Sequence, residues 1–300
     1  MLRTYSEIFK AAKNNARKRT FSIALAEDNS VLEAAKVLSE NEIANVLLTG
    51  DPEKIRKCAA QVGYPVQEEE IVPAFSEEEA AGKAVEQIRL GRAEILMKGH
   101  TSTPVIMKAV LDKENGLRTG SVLSHVAVAE IPTYHKLLMV TDGGINIAPD
   151  LETKIAIINN AVKVAEKLGV DVPKIAALCP IEKVNPKIPE TIDAAALQTM
   201  SEKGGFGRVI VEGPIATDVA LSAKAAERKN LTSRIAGDID AFLVPGLTCG
   251  NALLKFLMFL ANAKVGGIVL GAKAPIVLLS RADEPAEKLN SMLLAILVSA

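Results

Sequence analysis

Four short stretches place hydroxyls, cations or acids where a strand-like run gives way to a helix. The first, Lys98-Gly99-His100-Thr101-Ser102-Thr103-Pro104, follows the run EILM and leads into a helical stretch through Lys108. A glycine, three hydroxyls and a helix amino terminus offer N–H and O–H donors to an anion. Lys108 reaches the same anion if the helix axis slants across it. The same residues also suit a plain N-cap by Thr101 or Ser102, with Lys98 and Lys108 in solvent. The second, VTDGGIN, sets Asp142 and Asn146 around two glycines. Such an acid orients a ligand or a water, or simply caps a turn. The third, PGLTCGN, brings Gly250 and Asn251 to a helix start, with Lys255 one turn later. Its glycines admit another molecule to the backbone, and the helix amino terminus favours negative charge. A helix start that needs room for packing fits equally. Cys249 has no His or Asp at a recognisable spacing and reads as a structural thiol. The fourth, LLSRAD, delivers Ser280 and Arg281 side by side at the end of an apolar run. The guanidinium fork fits two phosphate oxygens at once. Ser280 or Asp283 can also cap the last helix, with Arg281 paired to Asp283 or Glu287.

The elements that must position these groups follow an α/β rhythm, short apolar runs alternating with longer amphipathic stretches around a mostly parallel sheet. The strand-like runs are Phe21 to Ala26, Asn45 to Thr49, Glu94 to Lys98, Lys174 to Leu178, Arg208 to Glu212, Ala241 to Val244 and Gly267 to Leu270. Between Ser121 and Asp142 two such runs follow each other with only a turn between them, which predicts an antiparallel hairpin. Ligands of open α/β sheets sit beyond the carboxyl ends of the strands, where all four stretches fall.

Composition narrows the function classes. Of 300 residues, 49% are apolar and 24% charged, with a formal net charge of −1. This describes an ordinary globular protein with a sizeable core and, by its length, two domains. No basic footprint for nucleic acid or an anionic membrane is present. The N-terminal stretch carries Lys10, Lys13 and Arg17 and lacks the apolar segment of a signal peptide, so a cytoplasmic location is expected. The three cysteines, Cys58, Cys179 and Cys249, are far apart and read as buried thiols, and no metal cluster is expected. There is no GxxxxGK[ST] loop, and Gly204-Gly205-Phe206-Gly207 precedes a strand, the wrong order for a dinucleotide fingerprint.

The chain resembles the phosphate acetyltransferase and phosphate butyryltransferase family over essentially its whole length. The resemblance rests on GPIATDVA (Gly213 to Ala220), SRIAGDIDAFLVPGLTCGN (Ser233 to Asn251), GAKAPIVLLSRA (Gly271 to Ala282) and VTDGGINIAPD (Val140 to Asp150), taken in order. Ala26-Glu27-Asp28, Gly50-Asp51 and the closing SRADEPAEKLNS look like the butyryl branch. The resemblance implies a two-lobed fold like that of isocitrate and isopropylmalate dehydrogenases, with a cleft between a first domain of residues 1–118 plus 271–300 and a second of 119–270. It implies reversible acyl transfer between coenzyme A and inorganic phosphate, with butyryl as the expected acyl group and acetyl as the alternative, in a homodimer or larger homo-oligomer.

Carried over residue by residue, the family's reacting Ser-Arg pair falls on Ser280 and Arg281. Its basic residue after the threonine-rich turn, commonly Arg, falls on Lys108, a point charge in place of a planar fork. The lysine that meets coenzyme A falls on Lys255, beside Gly250 and Asn251, while Thr101, Ser102 and Thr103 join the phosphate side. Asp142, Asn146 and Asp218 line the cleft. The catalytic aspartate, seven residues beyond the serine, falls on Glu287, with Asp283 as the other candidate base. The expected chemistry is direct transfer in a ternary complex without metal or redox cofactor. Two other readings are a metal- and nicotinamide-dependent hydroxyacid dehydrogenase of the same fold, and a coenzyme A binding protein without activity.

Overall fold

The structure, a computed structural model, describes residues 1–279 and 283–299. It divides into two compact units: a flanking unit of Tyr5–Ser121 and Val265–Ala300, and an inserted unit of Met1–Thr4 and Val122–Lys264. The first part of the flanking unit runs α1 (Tyr5–Lys13), β1 (Arg19–Ala24), α2 (Asn29–Glu40), β2 (Ala44–Gly50), α3 (Pro52–Val62), β3 (Ile71–Pro73), α4 (Glu77–Arg89), β4 (Ile95–Lys98) and α5 (Thr103–Val110). The inserted unit continues with β5 (Ser124–Glu130), β6 (Leu138–Thr141), α6 (Leu151–Lys167), β7 (Lys174–Leu178), α7 (Pro189–Glu202), β8 (Ile210–Ile215), α8 (Thr217–Leu221), α9 (Ala223–Arg228), β9 (Ala241–Leu243) and α10 (Leu247–Leu260). The chain closes with β10 (Lys264–Leu270), β11 (Ile276–Val277) and α11 (Pro285–Val298).

In the flanking unit the strands lie in the order β3-β2-β1-β4-β11-β10. They pair in parallel from β3 to β11, with Ile23 opposite Leu48 on one side and Met97 on the other, and β10 runs antiparallel to β11. In the inserted unit the order is β5-β6-β9-β7-β8. There β5 and β6 form the expected antiparallel hairpin, with Ala127 opposite Val140, and the remaining pairs are parallel. The class is therefore α/β with a mostly parallel sheet.

The strands read as near-continuous apolar runs because helices cover a parallel sheet on both faces. Every residue of β4 and of β6 is buried accordingly. The helices bury one stripe each: α2 turns Val31, Leu32, Ala35 and Leu38 inward, the i, i+1, i+4, i+7 spacing of an amphipathic face. Asp28 caps that helix by accepting the Val31 N–H, and Asp51 and Asp150 cap α3 and α6 in the same way. Of the three cysteines only Cys179 is fully buried; Cys58 and Cys249 are half-buried. No helix among the described residues is long and apolar enough to cross a membrane.

Candidate active site

In the flanking unit the chemistry gathers at the carboxyl ends of β1 and β4. Gly99 crosses the end of β1 so closely that a Cβ there would stand 2.4 Å from the Leu25 carbonyl oxygen, a position open only to glycine. The Gly99 and His100 N–H groups donate to the carbonyls of Ala24 and Leu25 at 2.9 and 2.8 Å, which locks the turn to β1. Beyond it, Thr101 is fully buried and its hydroxyl donates to Glu77 Oε1 at 2.9 Å. The Ser102 N–H donates to the same oxygen.

Ser102 thus takes the N-cap position of α5, but its own hydroxyl makes no capping bond. The cap is the carboxylate of Glu77, from the first turn of α4. A helix amino terminus attracts an anion, and here a side chain of the protein supplies one. Thr103, the first residue of α5, is exposed.

The His100 ring is half exposed, with Nδ1 3.6 Å from Asp28 Oδ2. Burial acts to raise the Asp28 carboxyl, but the Ser30 hydroxyl, the Val31 N–H, the Lys288 charge and His100 together hold it below its ordinary value. Lys288 is itself buried and donates to the Asp283 carbonyl oxygen. Lys98 is likewise buried at the end of β4. Glu287 lies in the first turn of α11, where its Oε2 is buried and accepts no hydrogen bond from the described residues. Ser280 and Arg281 lie outside the described residues.

Lys108 stands in the last turn of the eight-residue α5, five positions beyond Thr103. Its exposed side chain lines a groove of about 530 Å³ between α4 and α5, together with Lys83, Glu86, Arg89 and Asp112. It makes no ion pair or hydrogen bond with the described residues.

In the inserted unit the second and third stretches become one structure. Asp142 is buried, and its carboxylate accepts the N–H groups of Gly144 at 2.8 Å, Ile145 at 2.9 Å and Asn146 at 3.2 Å, and the Asn146 side-chain amide at 2.6 Å. Those four bonds match the acceptor capacity of a carboxylate, so Asp142 organises its own loop. Asn146 completes the tie by donating to the Leu123 carbonyl at 2.8 Å.

The loop lies on the amino end of α10. The Leu247 N–H donates to the Ile147 carbonyl at 3.1 Å, and a Cβ on Gly250 would stand 2.7 Å from the Gly143 Cα. Asn251 and Lys255 are both exposed, four residues apart and so on one face of α10. The Lys255 ammonium lies 5.9 Å from the ring centroid of Phe259. Burial pushes the Cys249 thiol up, away from the thiolate a nucleophile needs.

Asp218 lies in the same unit on a different element, α8. It is exposed in the first turn of α8 and pairs with Lys229 at 2.9 Å, which also holds Glu182 at 2.6 Å. The Lys229 bond keeps the Asp218 carboxyl below its ordinary value.

Two groups escaped the sequence reading. Glu77 acts across 24 residues, and only the acid run Glu77-Glu78-Glu79 opening a helix hinted at it. Asp28 figured only as part of Ala26-Glu27-Asp28, and nothing in its spacing pairs it with His100.

Comparison with known proteins gives the family. The phosphate acetyl/butaryl transferase family profile matches residues 66–296. The phosphate butyryltransferase of Clostridium acetobutylicum is 43% identical over 299 residues, covering 100% of this chain and 99% of that protein. The crystal structure of a branched-chain phosphotransacylase from Enterococcus faecalis superposes with a TM-score of 0.81 at 33% identity, over 94% of this chain and 99% of that one. A 4-hydroxythreonine-4-phosphate dehydrogenase from Klebsiella pneumoniae shares the fold alone, with a TM-score of 0.55 at 13% identity over 95% of this chain and 100% of its own. A profile matched over most of the chain and an identity above 40% from end to end leave one assignment: the chain belongs to the phosphate acetyl/butaryl transferase family.

Proposed function

We propose that this chain transfers a short acyl group, butyryl first among them, reversibly between coenzyme A and inorganic phosphate. The observation that carries the reading is the 43% identity with the phosphate butyryltransferase of Clostridium acetobutylicum over the whole length of both chains.

Phosphate is held by groups of the flanking unit: the Arg281 fork, Lys108 and the hydroxyls of Ser102 and Thr103. Thr101 serves the same turn from within, because its hydroxyl is committed to Glu77. Coenzyme A is held by Gly250, Asn251 and Lys255 of the inserted unit, in the two-lobed arrangement of the isopropylmalate dehydrogenase fold. The loop of Asp142 and Asn146 supports that helix start, and Asp218 remains a surface group of the same unit.

When acyl phosphate is the donor, the coenzyme A thiol, whose free pKa is near about 8.5, must lose its proton. Glu287 takes it, with Asp283 as the second candidate. The buried Glu287 Oε2, which accepts nothing from the described residues, favours the former. The thiolate attacks the carbonyl carbon, the tetrahedral oxyanion accepts a hydrogen bond from Ser280, and phosphate leaves. Such a donor is worth about 3 to 4 kcal/mol at established oxyanion sites. Holding both substrates together supplies much of the remaining rate, and no acyl-enzyme, metal or redox cofactor enters the scheme.

The enzyme works in the cytoplasm as a homodimer or larger homo-oligomer. Phe256, Phe259 and Leu260, exposed along α10, support self-association.

The test is phosphate-dependent release of free thiol from acetyl-, propionyl-, butyryl-, valeryl- and branched acyl-CoA. Butyryl-CoA giving the highest kcat/KM is the expected result, and a preference for acetyl-CoA would move the chain to the acetyl branch. No release from any of them, with phosphate supplied, would overturn the reading.

A further inference from the structure

The chain that bears Ser280 and Arg281 leaves β11 at Val277 and re-enters regular structure at α11, whose start lacks the usual fastening. Glu284 takes the N-cap position, but its side chain makes no capping bond with the described residues, and Pro285 follows with no N–H to hold. What fastens this end is a lysine. Lys288 is 3% exposed, and its ammonium donates to the Asp283 carbonyl oxygen, two residues beyond Arg281 in the chain.

Helix stability does not account for a cation there. Burying an ammonium is costly unless it is paired, and the amino end of a helix disfavours positive charge, yet Lys288 stands buried in the opening residues of α11. Its compensation comes from outside its own helix: the Asp283 carbonyl, and the negative charge of Asp28, which caps α2. Burial acts to raise the Asp28 carboxyl, but the Ser30 hydroxyl, the Val31 N–H, the Lys288 charge and His100 hold it below its ordinary value. The origin of the lysine side chain is fixed as well. A Cβ on Gly266 would stand 2.7 Å from the Asn290 carbonyl carbon, so α11 lies backbone to backbone on β10. The buried Ser291 hydroxyl accepts the Gly267 N–H at 2.9 Å and donates to the Glu287 carbonyl at 2.9 Å, which sets the turn that carries Glu287 and Lys288.

We propose that Lys288 is a positioning residue for acyl transfer: its buried ammonium fixes the chain at Asp283 and so sets where Ser280 and Arg281 meet phosphate and the reacting carbonyl. The proposal rests on the reading of Ser280 and Arg281 as the reacting pair. Lys288 touches neither substrate; it acts through the segment it fastens, and the register of α11 on β10 gives it a fixed base from which to do so.

The experiment compares the intact chain with Lys288→Met, which keeps an unbranched side chain without the charge, in two measurements. One is two-substrate kinetics with butyryl-CoA and phosphate; the other is hydrogen–deuterium exchange of the peptide spanning residues 278–284. In Lys288→Met, kcat/KM for phosphate falls about ten- to a hundredfold, the scale of a small misplacement of reacting groups, while the KM for butyryl-CoA is held. Exchange rises in that peptide and not along the rest of α11. Lys288→Gln, which keeps a donor and drops the charge, loses less. Unchanged kinetics, or unchanged exchange of the peptide, overturns the proposal. So does a parallel rise in both KM values with faster exchange along the whole of α11, which is the signature of a merely structural lysine. Should Lys288→Met not fold, Lys288→Gln carries the same comparison, and failure of both to fold overturns the proposal. An unaltered chain that leaves every acyl-CoA intact sinks the acyltransfer reading instead, and the exchange of the peptide in parent and variant still decides whether Lys288 fastens the segment.

Discussion

A Cβ placed on Gly250 would stand 2.7 Å from the Cα of Gly143 and 3.0 Å from the Asp142 carbonyl oxygen. The loop after β6 and the first turn of α10 therefore meet backbone to backbone, and neither side has a flexible side chain that can yield. The substitution Gly250→Ala must push them apart, at about 1 to 3 kcal/mol by the usual cost of overpacking. Because Asn251 and Lys255 ride on the same helix, the KM for acyl-CoA should rise more than that for phosphate. Urea unfolding and two-substrate kinetics check both halves, and a variant indistinguishable from the parent would show that the contact relaxes freely.

Glu77 replaces a side-chain cap on α5. Truncation in Glu77→Ala leaves the buried Thr101 hydroxyl and the Ser102 N–H without their acceptor, a loss of about 1 to 2 kcal/mol. Glu77→Gln keeps an acceptor oxygen and gives up only the charge, so its loss should be smaller. Denaturation midpoints of the two variants give the order, and equal losses would mean that charge, not acceptance, holds the turn.

At the amino ends of β6, β7 and β9 a second charged network does structural work. Asp238 meets Lys136 at 2.9 Å and His135 at 2.8 Å and also pairs with Lys174, while Lys136 reaches Asp240 at 2.6 Å. Partial burial acts to raise the Asp238 carboxyl, but its three basic partners outweigh that and hold it far below the ordinary carboxylate range. A carboxyl depressed in the folded chain adds stability above its unfolded pKa, about 3.9, and that contribution is lost as pH falls through the folded value. Asp238→Asn should therefore be less stable than the parent at neutral pH, with the gap narrowing below about pH 4. Unfolding curves at neutral pH and at pH near 3 test the sign, and a gap that widens in acid would contradict it.

Arg281 carries the heaviest catalytic assignment. For Arg281→Ala we expect kcat/KM for phosphate to fall about a hundredfold or more, the scale of losing one preorganised donor, with the unfolding midpoint unchanged. Steady-state kinetics beside a thermal melt separate this from misfolding, and unchanged kinetics would remove Arg281 from the mechanism.

Much of the sheet was legible locally. β7 runs over Lys174–Leu178 as read from its apolar pattern, and the hairpin of β5 and β6 follows from two runs separated by a turn. β8 is displaced from the expected Arg208 to Glu212 and occupies Ile210–Ile215. Pro214 argues against a strand in the sequence, yet among the described residues β8 is bonded to β7 alone, and an edge strand tolerates a residue with no N–H. The three-residue β3 and two-residue β11 are too short for any period to register; β3 is a strand because β2 bonds it in parallel, and β11 because β4 and β10 bond it from either side.

The alternation of apolar runs and helical stripes, the glycines at the strand ends and the order of the motifs are properties of neighbouring residues, so sequence alone determined the class, the hairpin and the family. Partner choice among polar groups was decided by the tertiary structure. Thr101 found Glu77, His100 found Asp28, and the acceptors of Asp142 turned inward to its own loop. The reason is geometric: a hydrogen bond is made or lost within a few tenths of an ångström, and for groups 24 or 72 residues apart that distance is fixed by how whole strands stack, which no local pattern encodes.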